Sequence, residues 1–148
     1  MTISRIELDG RPPVSGGSEA GWLRRSAKSA GLARQMLACL LGRVAGGERF
    51  AESGAVVVAE LVSNAVRHGT RPSQLVWVQL EVDPVRLRIE VHDASSVRPV
   101  VLTAGVDGEH GRGLVLVDSL SHRWGCCPRR AGIGKIVWSE IKGTRSDL

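Results

Sequence analysis

Residues 86–93, "RLRIEVHD", alternate with a period of two: Leu87, Ile89 and Val91 stand between Arg86, Arg88 and Glu90. Successive strand side chains point to opposite faces, so this segment needs a sheet with one dry face and one wet face. The preceding apolar run, "QLVWVQLEV" at 74–82, reads as a second strand joined to it around Asp83-Pro84. A sheet with one dry face needs a second layer to cover it, and the rest of the chain must supply that layer. Near the C-terminus "HRWGCC" (122–127) and "IGKIVWSEI" (133–141) read as two further strands around "PRRAG", and "ISRIEL" near the start as a short edge strand.

Helical spacing supplies the cover. From about Trp22 to Val44 the chain reads as a helix, with Leu23, Ala27, Ala30, Arg34, Leu37 and Leu41 in step, and "AGG" at 45–47 stops it. The Gly-, Pro- and Ser-rich stretch at 10–21 reads as a loop. A second helix is expected from Ser53, a candidate N-cap, to Gly69, with Pro72 preventing continuation. "GRGLVLVDSL" (111–120) reads as a short helix with glycines at its start, and 94–110 as a long irregular loop of the kind that forms lids. Strands clustered in pairs between helices predict an α+β fold: a two-layer sandwich, its sheet mixed but mostly antiparallel, with the helices on one face. One domain is expected over 22–141, after a strand and loop segment at 1–21 and before a loose tail at 142–148.

Composition narrows the class of partner. No run approaches the roughly 18 apolar residues that span a bilayer. The N-terminus lacks the charged-then-apolar order of a signal peptide, so a cytoplasmic protein is expected. Three cysteines, Cys39 alone and Cys126 beside Cys127, have no zinc-type spacing and fit reduced thiols. A formal charge of +5 points to phosphate-bearing or acidic partners. With aromatics at 3% and no tyrosine, the chain lacks the stacking platforms of a single-strand nucleic-acid binder, and direct nucleic-acid binding is not expected.

The second helix carries the first chemical signal. At about 100° per residue, Val58, Leu61, Val62 and Ala65 share the face that can meet the sheet. Glu60 and Asn64 lie one turn apart on the opposite side, with Ser53 and Arg67 near them and His68 at the edge. A carboxylate there can take a proton from an attacking hydroxyl, and an amide oxygen one turn on can ligate a hard cation. The same pattern is also that of a plain solvated helix face. Asp93 ends its strand where the chain enters the long loop; such a carboxylate can accept from an exocyclic amine, or serve only as a turn former. Gly111 and Gly113 at a helix start let phosphate oxygens approach backbone N–H groups. His68 suits a cationic cap at its helix C-terminus, and His92 and His122 read as sheet-surface residues rather than ligands.

Taken together and in this order, the three features resemble the Bergerat-fold ATPase superfamily, whose pattern is an E-x-x-x-N helix, a strand ending in D-x-G, a lid and a G-x-G helix. "ELVSNAVRHG", "VHDAS", "GRGLVLVDSLSHRWG" and "GKIVWSEI" look like the small bacterial anti-sigma-factor serine/threonine kinases, over roughly Trp22 to Ile141. That resemblance implies a histidine-kinase-like ATP-binding domain with ATP and Mg²⁺ as cofactors. Glu60 would be the general base toward a serine of an anti-anti-sigma antagonist. Asn64 would ligate Mg²⁺, and Asp93 would bind adenine N6. Gly111, Arg112, Gly113 and Leu114 would hold phosphates through backbone N–H groups, under a lid at about 95–110. A sigma factor would be the sequestered partner, and a homodimer through the sheet edge or first helix is compatible with the resemblance. The chain departs from the pattern at three places. Ser95 replaces the glycine two residues after the aspartate. Ile136 stands for the last-strand threonine that supports a base-bound water. Glu109 and His110 stand where a basic lid residue is expected, with Arg112 or Arg67 as substitutes.

Overall fold

A computed structural model describes residues 16–69, 74–95, 109–129 and 133–144, with backbone alone for 69 and 109–113. Five strands form one sheet: β1 (Gly17–Arg24), β2 (Leu75–Val82), β3 (Arg86–Asp93), β4 (Arg123–Pro128) and β5 (Lys135–Lys142). Their order is β1-β2-β3-β5-β4, and every neighbouring pair is antiparallel, so the parallel component of the expected mixed sheet does not occur among these strands. Three helices, α1 (Ser29–Gly42), α2 (Ala51–Asn64) and α3 (Glu109–Leu120), form the second layer. The α+β two-layer sandwich is the fold.

The core lies between the layers, and alternation fills it. Val76, Val78, Leu80 and Val82 of β2 and Leu87, Ile89 and Val91 of β3 are fully buried against Leu37, Leu40, Val57, Val58, Leu61 and Val62 of the helices. Asp83 closes the β2–β3 hairpin, its Oδ1 accepting from the N–H groups of Val85 and Arg86 at 2.7 and 2.8 Å.

The first strand replaces part of two expectations. Residues 17–24 are extended, not a loop running into a helix, and α1 begins only at Ser29. β1 is hard to see in sequence because its inward positions are partly glycine. A Cβ at Gly17 would lie 2.9 Å from Leu40 Cδ1, and one at Gly21 3.5 Å from Met36 Cε. Small residues there let α1 approach the sheet, so the strand lacks the apolar alternation that would announce it. Trp22 instead points to the uncovered face and packs edge-on against its register partner Trp77, centroids 4.9 Å apart. The candidate edge strand "ISRIEL" lies outside the described residues.

Ser53 is not the N-cap of α2. A 3₁₀ turn at Gly47–Phe50 feeds the helix, Phe50 occupies the cap position without a side-chain bond, and Ser53 sits inside the first turn. α2 ends at Asn64, and Ala65–Gly69 continue as one π-helical turn, a local widening that often marks a functional position. Beyond β3 most of the expected loop, 96–108, lies outside the described residues. At the C-terminus Lys142 still belongs to β5, and Thr144 donates from its N–H and its hydroxyl to the Arg49 carbonyl, both at 3.1 Å.

Candidate functional site

The direction of α2 over the sheet decides where Glu60 and Asn64 point. Near its start, Gly54 sits so close to the layer below that a Cβ there would lie 2.8 Å from Leu87 Cδ2. Leu87 is near the start of β3, and the π turn after α2 also packs against β3. Helix and strand therefore run the same way. From Gly54 to Asn64 is about 15 Å of helix, and from Leu87 to Asp93 about 20 Å of strand. Asn64 and Asp93 accordingly lie at the same end of the sandwich, with Glu60 one turn behind Asn64. As the periodicity predicts, Val58, Leu61, Val62 and Ala65 are buried while Glu60 and Asn64 are only partly so. Arg67 and His68 are exposed on the π turn.

The third contributor reaches this end by topology. β3 and β4 both run antiparallel to β5, which lies between them, so they run parallel to each other. The β3–α3–β4 connection is thus a crossover, and its helix must return against the strand direction. Its exit confirms this: Ser121, just past α3, bonds Ser139 through the two hydroxyls at 2.6 Å, at the level of Ile89 rather than of Asp93. The N-terminus of α3 consequently faces the Asp93 end. Gly111, Arg112 and Gly113 are helical within its first turns, and Leu114 is buried. In a helix whose first residue is Glu109, the last N–H without an intrahelical partner is that of the third residue, Gly111, and Arg112 already donates within the helix. The N–H groups of Gly113 and Leu114 are already directed to the carbonyls of Glu109 and His110. The expected cradle of four N–H groups narrows to that of Gly111 unless the helix start opens.

At Asp93 the structure adds a residue that the sequence reading passed over. The carboxylate, 2% exposed, accepts from Lys135 Nζ on Oδ1 at 3.0 Å, with Oδ2 in ion-pair contact at the same distance, and its Oδ1 also accepts from the Ser95 N–H at 2.8 Å. Lys135 is itself only 5% exposed. Burial pushes the Asp93 carboxyl above its ordinary range, and the opposing bond from Lys135, the Ser95 N–H and the charge of Arg129 do not cancel it. The pairing follows from register: Asp93 stands opposite Lys135, and Ile136 stands opposite His92 with its side chain on the other face. Ile136 therefore faces away from Asp93, on the uncovered side of the sheet, which corrects its assignment beside the base. The signal was available, since Val137, Ser139 and Ile141 are the inward residues of β5 and counting back by two reaches Lys135. Gly134 makes the approach possible: its φ is +94°, and a Cβ there would collide with the Asp93 carbonyl.

A second polar cluster lies on the uncovered face. Glu140 is bound by Arg86, Arg88 and Arg123 at 3.2, 3.0 and 2.6 Å, and the Arg123 bond is the main cause of its lowered carboxyl pKa. Glu90, 4% exposed, pairs with Arg88 and His92, each at 3.0 Å. Burial would raise its carboxyl, but the bonds from His92 and Arg88 outweigh burial and lower it to about 2. Each carboxylate oxygen of this cluster is engaged by an arginine or by His92 on the uncovered face, so the cluster does not extend the Glu60–Asn64 end. Among the described residues no group of His, Cys, Asp and Glu is arranged to hold a metal, no helix is long and apolar enough to cross a membrane, and no disulfide joins the three cysteines.

Comparison with known proteins agrees with this geometry. A family profile described as "Histidine kinase-like ATPase domain" matches residues 23–138, well over half of the chain. A search of curated proteins gives no match.

Proposed function

Since this chain belongs to the histidine kinase-like ATPase domain family, whose hallmark is ATP binding, we propose that it is a regulatory serine/threonine protein kinase of the small anti-sigma-factor type. In this reading it phosphorylates an anti-anti-sigma antagonist and sequesters a sigma factor. The observation that supports it is the gathering of the α2 C-terminus, the β3 C-terminus and the α3 N-terminus at one end of the sandwich, bringing Glu60, Asn64 and Asp93 with them.

The donor set there suits a magnesium-bound triphosphate. Asn64 offers an amide oxygen, a hard donor of the kind Mg²⁺ takes. The N-terminal N–H groups of α3, with the helix dipole behind them, favour phosphate oxygens. Bound Mg-ATP supplies the transferable phosphoryl group. Glu60, partly exposed one turn from Asn64, would take the proton of the substrate hydroxyl as that oxygen gains the γ-phosphoryl group and ADP leaves. Asp93 holds the base amine. Positioning and charge neutralisation account for most of phosphoryl-transfer catalysis, so few side chains are needed.

Incubation with radiolabelled ATP, Mg²⁺ and a candidate antagonist tests this. Labelling of the antagonist is expected, with a loss on the order of 100-fold or more in Glu60→Ala while ATP binding persists; undiminished labelling removes Glu60 from its role. A second reading, a non-catalytic module acting by sequestration, has one specific observation in its favour: Asp93 is already neutralised by Lys135. Calorimetry with millimolar Mg-ATP separates the two, and absence of heat supports the module.

A further inference from the structure

The Asp93–Lys135 pair raises a problem for any base that enters. Both groups are almost dry, and Lys135 Nζ lies 3.0 Å from each carboxylate oxygen. Replacing the ammonium by a neutral base amine would leave two buried charges without partners, an arrangement far worse than the intact pair. A nucleobase can therefore be accommodated only if the pair stays together and reads it jointly.

The bonding capacity of the pair allows that. Oδ1 accepts from both the Ser95 N–H and Lys135, whereas among the described residues Oδ2 has only the ion-pair contact with Lys135. A carboxylate oxygen has two lone-pair sites, so Oδ2 keeps one in reserve; an ammonium has three N–H donors, of which two oxygens engage at most two. What remains is one acceptor beside one donor. The 6-aminopurine edge is the complement, an exocyclic N–H beside the ring nitrogen N1.

Resting on the nucleotide-binding reading above, we propose that Lys135 is a base-specificity residue: with Asp93 Oδ2 accepting from the exocyclic amine, Lys135 Nζ donates to the adjacent ring nitrogen. The ligand class is a 6-aminopurine nucleotide. A 6-oxopurine presents acceptor and donor in the reversed order and meets a mismatch at both positions. The inward side of β5, with Gly134 allowing the close approach, sets the ammonium in place.

Calorimetric titration of the full chain with Mg-ATP and with 1-deaza-ATP, which lacks the ring acceptor, tests the proposal. The native protein should favour ATP by about tenfold or more, the scale of a hydrogen bond to a charged group. Lys135→Met should lose that preference and bind both at the level of the analogue or below. Equal binding of the two ligands by the native protein, or an undiminished preference in Lys135→Met, overturns it. The titrations on the native protein decide the matter even if the variant, with Asp93 unpaired, does not fold. Failure of the native protein to bind ATP at all overturns the nucleotide-binding reading itself, and the proposal with it.

Discussion

Acid should unfold this protein in part through Glu90, and substitution by glutamine shows how much. Glu90 lies on the uncovered face of β3, 4% exposed, held by Arg88 and His92. Its carboxyl falls from 4.5 to about 2, a gap that corresponds to roughly 3 kcal/mol of linked stability. Because the folded value is the lower one, this contribution is fully present above about pH 4.5 and is lost as pH falls toward 2. Glu140 acts with the same sign, its carboxyl also lowered. Asp93, raised by burial, acts with the opposite sign, since its folded form holds a proton more tightly. Asp93 lies on the other face and keeps its slope in Glu90→Gln, whereas Glu140 shares Arg88 with Glu90, so the difference between the two proteins reports Glu90 together with its coupling to that neighbour. Urea unfolding of each at a series of pH values from 7 to 2.5 measures it. The stability gap should be widest above pH 5 and narrow by about 3 kcal/mol toward the acid limit. A gap that stays constant through that range refutes the reasoning.

Two glycines give further tests. Gly134→Ala forces a side chain into a positive-φ position and against the Asp93 carbonyl; it should destabilise the fold by about 2 kcal/mol or more in urea unfolding and weaken Mg-ATP binding by calorimetry. Gly54→Ala places a methyl 2.8 Å from Leu87 and 2.9 Å from Leu37 side chains. Overpacking of about 1–3 kcal/mol should exceed the roughly 1 kcal/mol gained in helix propensity, giving a net loss in thermal unfolding.

Much of this protein is fixed by local pattern. The alternation of 86–93 determined a strand with one dry face, and β3 spans those residues as read. The spacing of Val58, Leu61, Val62 and Ala65 determined which face of α2 is buried and so set Glu60 and Asn64 opposite it. Both follow from side-chain periodicity, which is a property of a few consecutive residues. Three features needed the assembled sandwich. Residues 17–24 form a strand because β2 pairs with them and α1 needs the space of Gly17 and Gly21, neither of which is adjacent in sequence. The antiparallel character of the whole sheet depends on β5 entering between β3 and β4. Lys135, rather than Ile136, meets Asp93 because strand register, a relation between segments 42 residues apart, chooses which side chain of β5 turns inward.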